Sequence, residues 1–188
     1  MSKNYSKINV IELVSLCKKK DANAQKAIFD RYSPHVLTIC RRYAGSEQDA
    51  EDLFIDGFAR AFERIETFYS NTGAEFYSWL KTVVINNCLN TIKTNNQRQF
   101  FIVDGPLEEI VDNEEVDLFE DDFLPEQLTS AMQKLSPLTR TVFNMYAIDG
   151  FSCKEISTRM ETSEDTVKTC LSKARKSLQK ILLENRKV

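Results

Sequence analysis

The sequence predicts an all-α protein of two helical domains joined by an acidic linker, and three observations carry that reading. Only 5 Gly and 4 Pro punctuate 188 residues, too few for the turns of a many-stranded sandwich, and neither common glycine-rich phosphate loop occurs. On both sides of the chain's middle, apolar residues recur at the i, i+3, i+4, i+7 spacing of one helical face. Between them, Asp104 to Glu126 holds eleven acidic residues and no basic one; without it the net charge of −3 becomes 25 basic against 17 acidic residues. The parts expected to fold are therefore basic, which suits contact with polyanions. At roughly 100–200 residues per domain the length allows one domain or two small ones and excludes a large barrel enzyme.

The first domain is expected over residues 7–97. Residues 1–20 carry apolar groups only in short interrupted runs, so no exported leader or membrane span is read there. A helix is predicted from Asp21 to Tyr43, with Ala24, Ala27, Ile28, Tyr32, Val36 and Ile39 inward and Pro34 as a kink point. Ser46 and Asp49 have capping-box spacing and start the next helix near Gln48. Its apolar face is Ala50, Leu53, Phe54, Gly57, Phe58, Ala61, Phe62 and Ile65. Tyr69 to Gly73 is a loop by composition. Phe76, Trp79, Leu80, Val83, Val84 and Leu89 then support a long helix to about Asn95. Residues 98–123, with Pro106 and scattered apolar residues of no period, read as the linker.

The second domain is expected over residues 124–185. Helices are predicted from Glu126 to Leu135, then from Pro137, behind an N-cap Ser136, to Ile148, where Asp149 and Gly150 close it. Ser152 and Glu155 form a second capping box for a short helix to about Met160. Ser163, with Glu164 and Asp165 in the first turn, opens a last helix packed through Val167, Leu171, Ala174, Leu178, Ile181 and Leu182.

Five cysteines, an odd number with no C-x-x-C and a single histidine to assist, predict a reduced cytoplasmic compartment and no metal site. His35 has no serine or cysteine partner and no hydrolase or protease signature occurs, so no enzyme, cofactor or small-molecule substrate is expected; His35 reads as a partly buried helical residue. Three surfaces remain. The last two helices have the layout of a helix-turn-helix, although the turn carries Glu161 and Thr162 where glycine is frequent. From Lys168 to Lys187 seven residues are basic and one acidic, a density suited to phosphates and equally to a solvated helical face. The helix after Ser46 is acidic, with Glu47, Asp49, Glu51, Asp52 and Asp56, which would repel a duplex and suits either a basic protein surface or solvent. Aromatics near residue 69, followed by Asn86, Asn87, Asn90 and Lys93 in a stretch free of acidic residues, offer stacking faces and amide edges to unpaired bases. Phe76 and Trp79 lie on the inward stripe and read as core.

The segments Asp49 to Phe62, Phe76 to Leu80 with Asn86, Gly150 to Ser157 and Thr166 to Arg175 together resemble an alternative sigma factor of bacterial RNA polymerase, the extracytoplasmic-function type, over about residues 20–97 and 124–183. The resemblance implies a region 2-like bundle that docks on core polymerase and melts the minus-10 element, and a region 4-like helix-turn-helix that reads the minus-35 element. It implies polymerase clamp coiled-coil contact by Asp49, Glu51, Asp52 and Asp56. Minus-10 contact falls to Tyr69, Asn71, Thr72, Asn86, Asn90 and Lys93, and minus-35 contact to Lys168, Thr169, Ser172, Lys173, Arg175 and Lys176. The loop would receive a base flipped from the non-template strand, whose extrusion costs a few kcal/mol. The partners implied are core RNA polymerase, promoter DNA and an anti-sigma factor. Ile85 and Cys170 stand where the family often has arginine. By residues alone, a helix-turn-helix regulator acting without polymerase and a protein-binding adaptor also remain open.

Overall fold

The computed structural model describes residues 4–69, 72–95 and 125–185. Every regular element among them is helical: α1 (Val10–Lys18), α2 (Ala22–Tyr43), α3 (Glu47–Glu63), α4 (Gly73–Asn95), α5 (Pro125–Gln133), α6 (Pro137–Phe143), α7 (Cys153–Met160) and α8 (Glu164–Asn185). The chain divides after Thr94 into two compact units. The linker assigned to residues 98–123 lies outside the described residues.

In the first unit the helices start where side chains can satisfy their free N–H groups. Asp21 accepts from the backbone of Asn23 and Ala24, and Ser46 from that of Asp49. α2 runs on through Pro34 to Tyr43. α1 is not anticipated by the sequence reading. Asn9 caps it, and Val10, Leu13, Val14 and Cys17 are buried against α2 at i, i+3, i+4, i+7, but over nine residues that period is too brief to stand out beside Lys18–Lys20. The core is mostly aliphatic, with a cluster of rings across it: Phe29 meets Phe58 at 4.7 Å, and Phe76 meets Tyr32 at 5.5 Å and Phe68 at 5.3 Å. A Cβ on Gly57 would lie 3.3 Å from a methyl of Val84, so glycine there lets α3 and α4 close up. His35 is exposed, not partly buried; its ring lies beside Tyr77 at the surface of α2.

In the second unit α8 is the central post, against which α5, α6 and α7 pack. α5 ends at Gln133 rather than Leu135. Lys134 and Leu135 close it with tight i→i−3 bonds, because Ser136, preceding Pro137, is driven to extended backbone (φ −58°, ψ 150°). α6 continues to Ile148 as a wider π turn. The capping box at α7 is complete: the Ser152 N–H donates to Glu155 Oε2 at 2.9 Å, and the Glu155 N–H to Ser152 Oγ at 3.2 Å. These bonds, the backbone one foremost, hold the Glu155 carboxyl below its usual value of 4.5. Its contribution is therefore present above that pH and lost as the pH falls through the lower folded value. Glu155→Gln, which keeps an acceptor without the titration, is expected to flatten acid unfolding below pH 4.5, read as helicity against pH.

The turn between α7 and α8 is unusual in its residue. Gly150 ends the preceding helix at φ 77°, whereas Glu161 adopts the left-handed conformation at φ 55°, where a side chain crowds its own backbone. Glu161→Gly should raise the stability of this unit by about 0.5–1 kcal/mol in denaturant unfolding; an unchanged midpoint would show that the turn relaxes without cost.

All cysteines are free, and only Cys153 is not buried. Burial pushes the Cys17 thiol up to about 12, and a hydrogen bond with Cys40 together with burial raises that of Cys88. Ile85 and Cys170 are each wholly buried, so the two positions that depart from arginine serve the core.

Candidate functional site

The acidic surface is built by α3. Its apolar stripe anchors Ala50, Leu53, Phe58 and Ala61 inward, so Glu51, Asp52 and Asp56 project outward. Two of its carboxylates have local work. Glu47 accepts a forked pair of bonds from Arg41, with Nε at 2.9 Å from Oε1, and is held below the usual carboxylate range by it. Asp49 accepts from Ser46 Oγ at 2.7 Å while its own N–H donates back at 3.1 Å. Glu51, Asp52 and Asp56 are thus the carboxylates best placed for a partner. Among them stands Ile55, 58% exposed, an apolar anchor the sequence reading passed over because it lies off the inward period.

The loop before α4 and one face of α4 form the second surface. Tyr69 is 88% exposed, and Thr72 caps α4 by accepting from the Glu75 N–H at 3.2 Å. Asn71 lies outside the described residues. Asn86 and Lys93 are half-buried and Asn90 exposed; with Thr72 they share one face at 3.6 residues per turn, Asn86 lying about 21 Å along the axis from the cap. Asn87 is corrected by the structure: at 2% exposure, with no hydrogen bond to its amide, it belongs to the core and cannot meet a base. Phe76 is buried and Trp79 half-buried against it at 5.6 Å, as structural residues.

The third surface is the helix-turn-helix. Val167, Cys170, Leu171, Ala174 and Leu178 bury one side of α8, leaving Lys168 and Lys176 exposed and Thr169, Ser172, Lys173 and Arg175 half-buried at the surface. Ser163 Oγ accepts from the Thr166 N–H at 3.0 Å and fixes where α8 begins. The basic surface extends beyond the predicted set: Lys134 and Lys180 join Lys173 and Lys176 around an open cleft that also presents Ser136, Thr139 and Ser177. Lys134 enters from the turn that closes α5, a neighbour only the tertiary structure supplies. Among the described residues no group of His, Cys, Asp and Glu could hold a metal ion, and no helix is long and apolar enough to cross a membrane.

An acidic face on α3 and an exposed Tyr69 in the first unit, followed by a helix-turn-helix whose last helix presents lysines, fit a DNA-binding transcription protein. Residues 28–98 match the family described as Sigma-70 region 2, and residues 126–178 the family described as Sigma-70, region 4. The chain is 28% identical over 178 residues to the ECF RNA polymerase sigma factor BldN of Streptomyces coelicolor, covering 92% of this chain and 66% of that protein. It is 28% identical over 179 residues to the ECF RNA polymerase sigma factor SigW of Bacillus subtilis, covering 88% of this chain and 92% of that protein. In fold it is similar to the sigma factor RpoE of Bartonella quintana, solved with the anti-sigma factor NepR, at a TM-score of 0.51 and 20% identity over 84% of this chain and 95% of that one. The chain belongs to the extracytoplasmic-function sigma factors of the sigma-70 family.

Proposed function

We propose that this chain binds core RNA polymerase and directs it to promoters through minus-35 and minus-10 elements, with the surfaces above in separate roles. The observation that carries the reading is the order of the two family matches, region 2 then region 4, with an acidic face on α3 in the first and a row of exposed cations on α8 in the second. The outward carboxylates of α3, around Ile55, meet a basic polymerase surface, assigned to the clamp coiled coil; Asp49 contributes chiefly by starting the helix. Tyr69, with Asn71 and Thr72, receives a base flipped from the non-template strand, and Asn86, Asn90 and Lys93 continue along the minus-10 strand. Lys168, Thr169, Ser172, Lys173, Arg175 and Lys176 meet the minus-35 duplex. The acidic linker threads the polymerase cleft, and an anti-sigma factor holds the protein inactive in the cytoplasm. The chain itself catalyses no reaction.

A regulator acting without polymerase would leave the region 2 match and the acidic face of α3 without a role. The test is joint: the purified chain should co-elute with core RNA polymerase and confer run-off transcription from promoters selected out of a random pool. Alone, at a net charge of −3, it should bind the same duplexes weakly. Specific tight binding by the isolated chain, with no polymerase complex, would favour the regulator.

A further inference from the structure

We propose that Lys18, on α1, is a positioning residue that holds Tyr69 as a ready stacking platform for an unpaired base. This rests on the reading of the Tyr69 loop given above. The Lys18 ammonium donates to the Phe68 carbonyl at 2.7 Å and sits 5.0 Å from the centroid of the Tyr69 ring. Its acceptor is backbone, so the position of the charge is set by the chain rather than by another mobile side chain. Phe68 is itself fixed, 5% exposed and packed on Phe76 and Trp79. The ring beyond it is 88% exposed, so apart from the edge or face turned to the ammonium it stays open to solvent. A tyrosine so exposed would ordinarily sample several rotamers, and a base landing on it would bear the cost of ordering it. A cation within about 6 Å of the ring selects one arrangement beforehand. It also adds positive charge beside the path of a nucleic-acid backbone, the combination single-strand sites use.

α1 holds the far side of the loop as well. A Cβ on Gly73 would lie 2.9 Å from a methyl of Val10, so α1 rests directly on the first residue of α4. The helix touches the chain both before and after the loop: Lys18 at its entry, Val10 at its exit. α1 is in turn tied to α2, since Arg31 donates to the carbonyls of Ser6 at 3.0 Å and Ile8 at 2.9 Å just ahead of it. The region 2 match begins at residue 28, so this brace lies outside the matched segment.

The experiment uses the full chain bound to core polymerase and a single-stranded non-template oligonucleotide spanning the minus-10 region of a promoter recovered by transcription selection. Lys18→Met, which keeps the apolar stem, should weaken oligonucleotide binding about fivefold. Lys18→Arg, which keeps charge and donor, should restore most of it. Polymerase affinity and unfolding midpoint should stay at wild-type values. Tyr69→Ala separates the two levels of the claim. If it loses binding while Lys18→Met does not, the loop receives the base and the role of Lys18 is wrong. If neither loses binding, the reading of the loop fails and the inference with it. Equal losses for Met and Arg, with a lowered unfolding midpoint, would make Lys18 a structural strut and overturn the proposal too.

Discussion

Replacing Glu51, Asp52 and Asp56 together with lysine should abolish the complex with core RNA polymerase while leaving the protein folded. All three carboxylates are exposed on α3, outside the buried stripe, and all lie beyond the first turn where a negative charge supports the helix start. Reversing a single rim charge mainly slows encounter, but three reversals set like charges against a basic surface at several kcal/mol, a loss of roughly 100-fold or more. Asp49 is left in place because its carboxylate and N–H both engage Ser46, so a change there would confuse docking with folding. Co-elution with polymerase, alongside circular dichroism of the free chain, checks the result. Undiminished affinity with helicity retained would make the acidic face a solvated one.

Removing Lys168, Lys173 and Lys176 together should have the second largest effect, and a different signature. If each neutralises one phosphate, the triple alanine variant loses about three contacts, and the slope of log affinity against log salt becomes shallower by about 0.9 for each. The loss should fall on all minus-35 sequences about equally. Thr169→Ala and Ser172→Ala should act otherwise, each altering preference at one base pair by about 1–3 kcal/mol with the salt slope unchanged. Polymerase-bound protein titrated with a panel of minus-35 variants at several salt concentrations separates the two classes. Uniform losses for all of them would reduce α8 to a nonspecific clamp.

The helices of the second unit were legible because their punctuation is local. Ser152 and Glu155, Ser163 and Pro137 act within one turn of themselves, and the structure places a helix start at each. α3 was legible for the same reason, with Ser46 capping it and a clean apolar period behind. The outward placement of the α3 carboxylates and the α8 cations followed from those periods, since fixing the buried stripe of a helix fixes its opposite side.

Helix content, the acidic face of α3, the basic face of α8 and the family motifs could therefore be read from residues alone. The tertiary structure decided whatever depends on a neighbour distant along the chain. Asn87 follows Asn86 and looks like it in sequence, but the helices around α4 bury one and leave the other half-exposed. Lys134 joins the α8 lysines only because α5 packs there. α1 is too short for its period to register, and it is held by burial against α2 rather than by propensity, which in a helix of nine residues is marginal in water. Lys18 thus reads in sequence as one of several surface lysines. Only packing brings it to Tyr69, 51 positions later in the chain, because the positions of charges and rings across a core are set by which faces are buried together.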